Sequence, residues 1–165
     1  ICDMLRSMAA WLALIVGGLL ASPAEATGEF QSGNWKGAAF FDNGRFTNCL
    51  MFAPYVTGWK MVFSMDGEGY VDLGFEHSDL SLTPGNTADF RMQIDKSPVI
   101  TRNFKALSTT MFATTFTGSV DWFQRLRRGR NLKIWIGDSL ESFSLQGTNK
   151  ALARLFTCVA DYRQL

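Results

Sequence analysis

Short apolar and aromatic runs separated by turn signals dominate residues 34–117. Val71, Leu73 and Phe75 occupy every second position between polar residues or glycine, as a strand with one buried face requires. Asn-Gly and Asp-Gly pairs separate several of these runs, and such pairs are typical of hairpin turns. The pattern predicts strands at residues 35–42, 48–54, 59–65, 69–76, 87–94, 98–103 and 107–116.

The apolar spacing becomes helical in the last third of the chain. Trp122, Phe123 and Leu126 fall within an arc of about 100° on a helical wheel. Ser119 can cap the start of this helix and Gly129 can end it, because these residue types satisfy free backbone groups at helix ends. The predicted elements are a helix at 119–129, a hairpin of 131–137 and 140–146, and a C-terminal helix within 147–159.

The C-terminal helix has one apolar face. Ala151, Leu155 and Val159 lie on one side of the wheel, and Cys158 lies at the edge of that side. The helix is therefore expected to pack on the sheet with Cys158 facing protein. Strands first, then a helix, a hairpin and a packed terminal helix indicate a mainly β (α+β) fold. We expect an antiparallel β-sandwich or open barrel with one internal helix and the C-terminal helix packed on it.

The first 26 residues have the layout of a secretory signal peptide. Arg6 supplies the basic region, residues 11–20 form the apolar region, and Ala24 and Ala26 are the small residues before the cleavage site. The apolar run is shorter than the about 20 residues that a transmembrane helix needs. Residues 1–3 precede the first methionine and are expected to lie upstream of the true start. A periplasmic or secreted location follows from these features, after cleavage near Ala26.

The mature chain is expected to be a single β-rich domain of residues 27–165, a length that suits one core. The whole sequence carries a formal net charge of only +1. Because nucleic-acid-binding domains are usually strongly basic, this balance argues against a nucleic-acid partner. No second apolar run has membrane-spanning length, so no transmembrane segment is expected in the mature chain.

Two cysteines, Cys49 and Cys158, remain once Cys2 is removed with the leader. They form either one disulfide or two separate buried thiols, which behave as small apolar residues. Export to an oxidising compartment favours the disulfide. It would close a loop of about 110 residues and contribute on the order of 4 to 5 kcal/mol in the chain-entropy model.

Residues 137–140 read G-D-S-L, which resembles the nucleophile block of the GDSL hydrolases. A serine nucleophile needs a neighbouring base, almost always histidine. No histidine follows Ser139, although that family supplies its base near the C-terminus. A tight turn through Gly137, Asp138 and Ser139 is the better interpretation.

His77, the only histidine, lies near Glu76 and Asp79 at a strand end. Alternation sends Glu76 and His77 to opposite faces of a strand, so a loop histidine is favoured over a metal ligand. Asp66 and Glu68 flank a glycine but lack the ligand order of a calcium loop, and a hairpin turn explains them better. No catalytic residue, metal or cofactor is predicted.

The one concentrated charge consists of Arg125, Arg127, Arg128 and Arg130. Cations in the last turn of a helix complement its dipole, and long arginine side chains cover apolar surface. The functional alternative is a patch that binds an anion or a partner. The role in stabilising the helix is favoured, and the anion-binding or partner-binding patch stays a candidate site.

Four segments carry a family resemblance: "CLMFAPY", "LSLTPG", "DWFQRLRRGRNLKIWIG" and "FSLQGTNKALARLFTCV". In these segments the chain resembles small exported alphaproteobacterial proteins with no assigned activity, and is more distantly similar to the invasion-associated locus B family. The resemblance implies an envelope-associated, non-catalytic protein, linked in some members to host interaction. It supplies no catalytic residue.

The expected function is therefore an exported periplasmic or envelope protein of binding type, whose partner is an envelope protein or a surface component. Two alternatives stay open. One is a small carrier of an apolar ligand such as a lipid, held in a cavity inside the barrel. The other is a glycan-acting enzyme that uses carboxylates alone, such as Asp66 and Glu68, across a cleft.

Overall fold

The computed structural model of the chain describes residues 25–116 and 120–164. Residues 1–24, which hold most of the predicted signal peptide, lie outside this range, as does the predicted helix cap Ser119. The described elements are β1 (Glu25–Ser32), β2 (Trp35–Asp42), β3 (Arg45–Pro54), β4 (Lys60–Asp66), β5 (Val71–Glu76), β6 (Thr87–Ile94), β7 (Ile100–Ala106), β8 (Met111–Phe116), α1 (Val120–Arg128), β9 (Asn131–Ile136), β10 (Ser139–Ser144) and α2 (Thr148–Tyr162).

The ten strands form one sheet in the order β1-β2-β3-β4-β5-β8-β7-β6-β9-β10, so β1 and β10 are its edges. Every strand pair is antiparallel. The sheet curls, because Phe143 of β10 contacts Phe75 of β5 and Trp59 beside β4, with ring centroids 5.1 and 5.9 Å apart. The predicted mainly β fold is confirmed, in the form of an open, curled sheet.

Alternate residues of the strands fill the interior of the curl. Phe75 lies at the centre, with ring centroids 6.4 Å from Phe90, 5.5 Å from Phe112 and 5.1 Å from Phe143. All four rings are fully buried, and burial of each stabilises the fold by about 2 kcal/mol. Rings therefore occupy the region in which a carrier would hold its apolar ligand.

Helix α2 packs on β1 to β4 through the apolar face predicted for it. Ala151, Leu155 and Val159 are buried there. Cys158 is buried too and forms a disulfide with Cys49 of β3, with Cα atoms 6.2 Å apart. The predicted disulfide is thus present, and it joins the last helix to the third strand.

Several elements differ from their predicted bounds by one to three residues, and two segments differ more. Strand β1 was not predicted, because Gly28 and the polar residues around it leave no alternating pattern. The strand predicted at 107–116 begins only at Met111, because Leu107 donates its N–H to the Met111 carbonyl and closes a turn. Helix α1, in contrast, ends before Gly129 as predicted.

Candidate interaction site

The arginine cluster lies at the C-terminal end of α1, and two of its members are held within the protein. Arg125 Nε donates to Asp121 Oδ2 at 2.9 Å, one helical turn earlier. Arg127 Nε donates to Asn149 Oδ1 of α2, also at 2.9 Å. These contacts agree with the stabilising role that was favoured for the cluster.

Acidic groups surround the other two arginines. Arg128 lines a surface cavity of about 330 Å³ together with Asp95 and Asp121. The backbone N–H of Arg130 donates to both carboxylate oxygens of Asp95, at 3.1 and 3.2 Å. A cavity that mixes both charge signs is a poor match for an anion, because its carboxylates repel the ligand that its guanidinium groups attract. A partner role for this patch therefore stays a prediction.

A second surface lies at the other end of the β9–β10 hairpin. This surface, the mouth groove, is a cavity of about 400 Å³ between the β3–β4 turn, the loop after β5 and the tip of the hairpin. Its wall is formed by Trp59 and His77, whose ring centroids are 4.9 Å apart. Its lining residues are Thr57, Trp59, His77, Asp79, Leu80, Ile136, Ser139 and Glu141.

Both ring nitrogens of His77 are engaged by the backbone. Nε2 lies 3.1 Å from the Thr57 carbonyl oxygen, and Nδ1 lies 3.1 Å from the Asp79 backbone nitrogen. Since the Asp79 N–H donates to Nδ1, the ring proton is assigned to Nε2 and is donated to Thr57. His77 therefore ties together two loops, and neither nitrogen is free to take a proton from Ser139.

The G-D-S-L letters form a tight hairpin turn. Ile136 and Ser139 are paired across a two-residue loop, and Gly137 at its first position has φ 58°, a conformation that favours glycine. The predicted turn is confirmed. The structure also places Ser139 and His77 on one groove, which sequence reasoning missed because the two residues belong to elements far apart along the chain.

Among the described residues 25–116 and 120–164, no strand pairs with the outer side of β10. Hydrogen-bonded pairs alternate along a hairpin and begin next to its loop. The backbone groups that point toward β9 are therefore those of Ser139, Glu141 and Phe143. Leu140 and Ser142 therefore direct their N–H and C=O groups outward, at the open edge of the sheet.

Tyr55 closes only the far end of this edge. Its hydroxyl donates to the outward-facing carbonyl of Ser144 at 2.8 Å, and its ring packs on Phe143 with centroids 5.1 Å apart. Burial raises the pKa of Tyr55 well above its ordinary value. The phenol of Tyr55 thus covers the edge at Ser144, whereas the outward-facing backbone groups of Leu140 and Ser142 stay accessible.

Asp66, one of the two carboxylates proposed for glycan chemistry, is hydrogen-bonded within a turn. Asp66 Oδ1 accepts the backbone N–H groups of Glu68 and Tyr70, each at 2.9 Å, and so caps the β4–β5 turn. Asp66 and Glu68 line a surface cavity together with Arg45 and Arg163. The predicted hairpin turn is confirmed, and Asp66 Oδ1 stabilises it.

Within residues 25–116 and 120–164, no group of three or more His, Cys, Asp or Glu side chains is arranged to hold a metal ion. Neither of the described helices combines the length and the apolar composition that crossing a bilayer requires.

No protein-family profile and no curated protein matches the chain. Among solved structures, the chain is similar to the crystal structure of invasion associated protein B from Bartonella henselae. The two have 18% sequence identity and a TM-score of 0.61, over 82% of this chain and 99% of that chain. The two proteins share a fold. At this identity no residue role transfers from one to the other, and the groove is interpreted from its own chemistry.

Proposed function

We propose that the protein is an exported, envelope-associated binding protein that performs no catalysis and uses the mouth groove as its binding surface. The observation that carries this proposal is the hydrogen bonding of the two ring nitrogens of His77. The groove holds a serine and a histidine, but both nitrogens of that histidine are engaged by the backbones of Thr57 and Asp79. The groove therefore offers a ligand an aromatic wall and polar edges without an activated nucleophile.

Export is supported by the signal-peptide pattern before Thr27 and by the disulfide, since disulfides persist in oxidising compartments. The shared fold adds a second argument, because the similar protein is named for its association with invasion. A surface or envelope component as the partner agrees with both arguments.

Fractionation of cells that express the full chain tests the location. The processed protein should appear in the periplasmic or secreted fraction with Thr27 as its first residue and one disulfide. Recovery of an unprocessed, reduced protein in the cytoplasm would contradict export.

A broad ester-substrate screen of wild type, Ser139→Ala and His77→Gln tests the absence of catalysis. All three proteins should show the same background rate. A wild-type rate that Ser139→Ala abolishes, while the variant remains folded, would overturn the proposal.

A further inference from the structure

The open edge of β10 and the mouth groove beside it belong to one continuous surface. Leu140 and Ser142 present backbone donors and acceptors along the edge, while the neighbouring residues Ser139 and Glu141 line the groove. We propose that this surface binds an extended segment of a partner protein, which adds as a strand to β10 and places a Lys or Arg side chain in the groove. This inference rests on the proposed binding function and specifies its partner.

Strand addition suits the edge because exposed backbone groups at a sheet edge pair readily with another chain. The added segment is short, since the phenol of Tyr55 occupies the edge at Ser144. The side chain of Leu140 is 49% exposed next to the open groups. A partner strand would cover this apolar side chain as well as the backbone.

The charge of the groove selects a basic side chain. Asp79, whose carboxylate is 88% exposed, lies on one side of the groove, and Glu141 lies on the other. The lining residues of the groove include no Lys or Arg, and the nearby Lys60 is paired with Glu76 at 3.2 Å. A cation entering the groove therefore meets two carboxylates without a competing positive charge.

The aromatic wall suits the same ligand. The stem of a Lys or Arg side chain packs well on apolar and aromatic surface. Trp59 and His77 supply such surface next to Asp79, although Trp59 is only 7% exposed and so contacts the stem rather than the charge.

A second copy of the chain is a poorer occupant than a basic segment. Two β10 strands pairing around the open stretch would place Glu141 of one copy opposite Glu141 of the other. Like charges directly opposite each other destabilise a strand pair. The acidic residue at the centre of the edge thus disfavours self-association and favours a positively charged partner.

Selection of random peptides displayed on phage tests the proposal with the intact oxidised protein. Enriched peptides should alternate strand-forming residues and carry a Lys or Arg. Replacing that residue by Gln in a synthetic peptide should weaken binding about tenfold, as measured by fluorescence anisotropy.

Two variants of one residue separate the edge from the rest of the surface. Ser142→Pro removes an N–H that faces away from β9, so the sheet keeps its ladder while the partner loses its site. Binding should fall at least about tenfold for Ser142→Pro and stay unchanged for Ser142→Ala. Glu141→Gln and Asp79→Asn should each weaken the Lys peptide about threefold to tenfold.

If Ser142→Pro does not fold, N-methylation of the peptide replaces it. Methyl groups on the peptide amides that face β10 should abolish binding, whereas methyl groups on the alternate amides should not.

Several results would overturn the proposal: no enriched peptide, preference for acidic peptides, equal binding to both Ser142 variants, or a dimer that Ser142→Pro disrupts. Export and the absence of ester hydrolysis are measured separately, so failure here removes the strand-adding basic partner and leaves those two parts of the proposed function standing.

Discussion

The two edges of the sheet are protected in different ways. At β1 the pairing with β2 shifts between Thr27 and Phe30, and such a bulge makes an edge a poor template for another strand. Helix α2 also lies against β1, and the ring of Tyr162 packs so closely on Gly28 that a larger residue would require the ring to move. At β10 the protection found within the described part of the chain is the hydrogen bond from the Tyr55 hydroxyl to the Ser144 carbonyl.

This difference indicates which part of the molecule holds the fold together and which part is available for contacts. The disulfide and α2 belong to the β1 side, where the last element is joined to the first strands. The mouth groove belongs to the β10 side. A fold closed at one edge and open at the other can bind a partner there without losing its core.

Of the changes considered, loss of the Cys49–Cys158 disulfide on the β1 side should lower the unfolding free energy most. The Cys49→Ala/Cys158→Ala double variant should lose about 4 to 5 kcal/mol of unfolding free energy, because the bond constrains a long loop of the unfolded chain. Urea unfolding of oxidised protein measures this loss, with the reductant-treated wild type as comparison. A loss below about 1 kcal/mol would show that α2 is held by packing alone.

A substitution at Gly28 should come next. Gly28 has φ 61° and its Cβ would overlap the phenol of Tyr162, whereas Gly33 has the same φ with open space around it. Gly33→Ala should destabilise by about 1 to 2 kcal/mol, the cost of a left-handed backbone. Gly28→Ala should carry this backbone cost and lose about 1 to 3 kcal/mol more through overpacking against Tyr162. Equal effects in urea unfolding would contradict close packing at the β1 edge.

Tyr55→Phe tests the hydrogen bond from the Tyr55 hydroxyl to the Ser144 carbonyl on the β10 side. Removing its hydrogen bond to Ser144 should lower the unfolding free energy by about 1 kcal/mol at neutral pH. Tyr70→Phe, at an exposed tyrosine, is the matched control and should change little. An unchanged stability of Tyr55→Phe would show that the bridge contributes nothing to closure.

The same variant should change the response to alkaline pH. Burial raises the pKa of Tyr55 in the folded protein above its ordinary value of 10.0, so above pH 10 the unfolded chain releases this proton first. The stability linked to Tyr55 is complete below pH 10 and is lost as pH rises through the folded pKa. Tyr55→Phe lacks this loss, so its stability should decline less steeply than that of wild type.

The smallest effect is expected at the arginine cluster, which belongs to neither edge. Arg125→Gln breaks an exposed ion pair with Asp121 and should lower stability by about 0.3 to 0.5 kcal/mol. Arg128→Gln is the control, since none of the ion pairs in the described part of the chain involves Arg128. A larger loss would assign the cluster a greater structural role.

Local patterns predicted much of the fold. The strands at 35–42 and 87–94 were predicted with their observed bounds, because alternation and turn residues are local signals. The disulfide was favoured by the number of cysteines and by the predicted signal peptide. The order of the strands could not be predicted, since β5 pairs with β8 and β6 with β9 through contacts between distant residues.

The groove was invisible in the sequence for the same reason. Trp59 and His77 lie in two separate loops and Ser139 begins β10, and these segments meet only after the sheet curls. The open edge depends on strand order as well, because the residues of β10 do not indicate whether a further strand pairs with them. The acidic residue Glu141 in the middle of a short strand is the one local signal that would have helped.

Amide hydrogen exchange along β10 is the most direct test of the open edge. In the free protein the amides of Leu140 and Ser142 should exchange rapidly, while those of Glu141 and Phe143 should be protected by β9. Addition of a basic peptide from the selection should protect Leu140 and Ser142. Slow exchange of these two amides in the free monomer, or no protection by the peptide, would contradict the account.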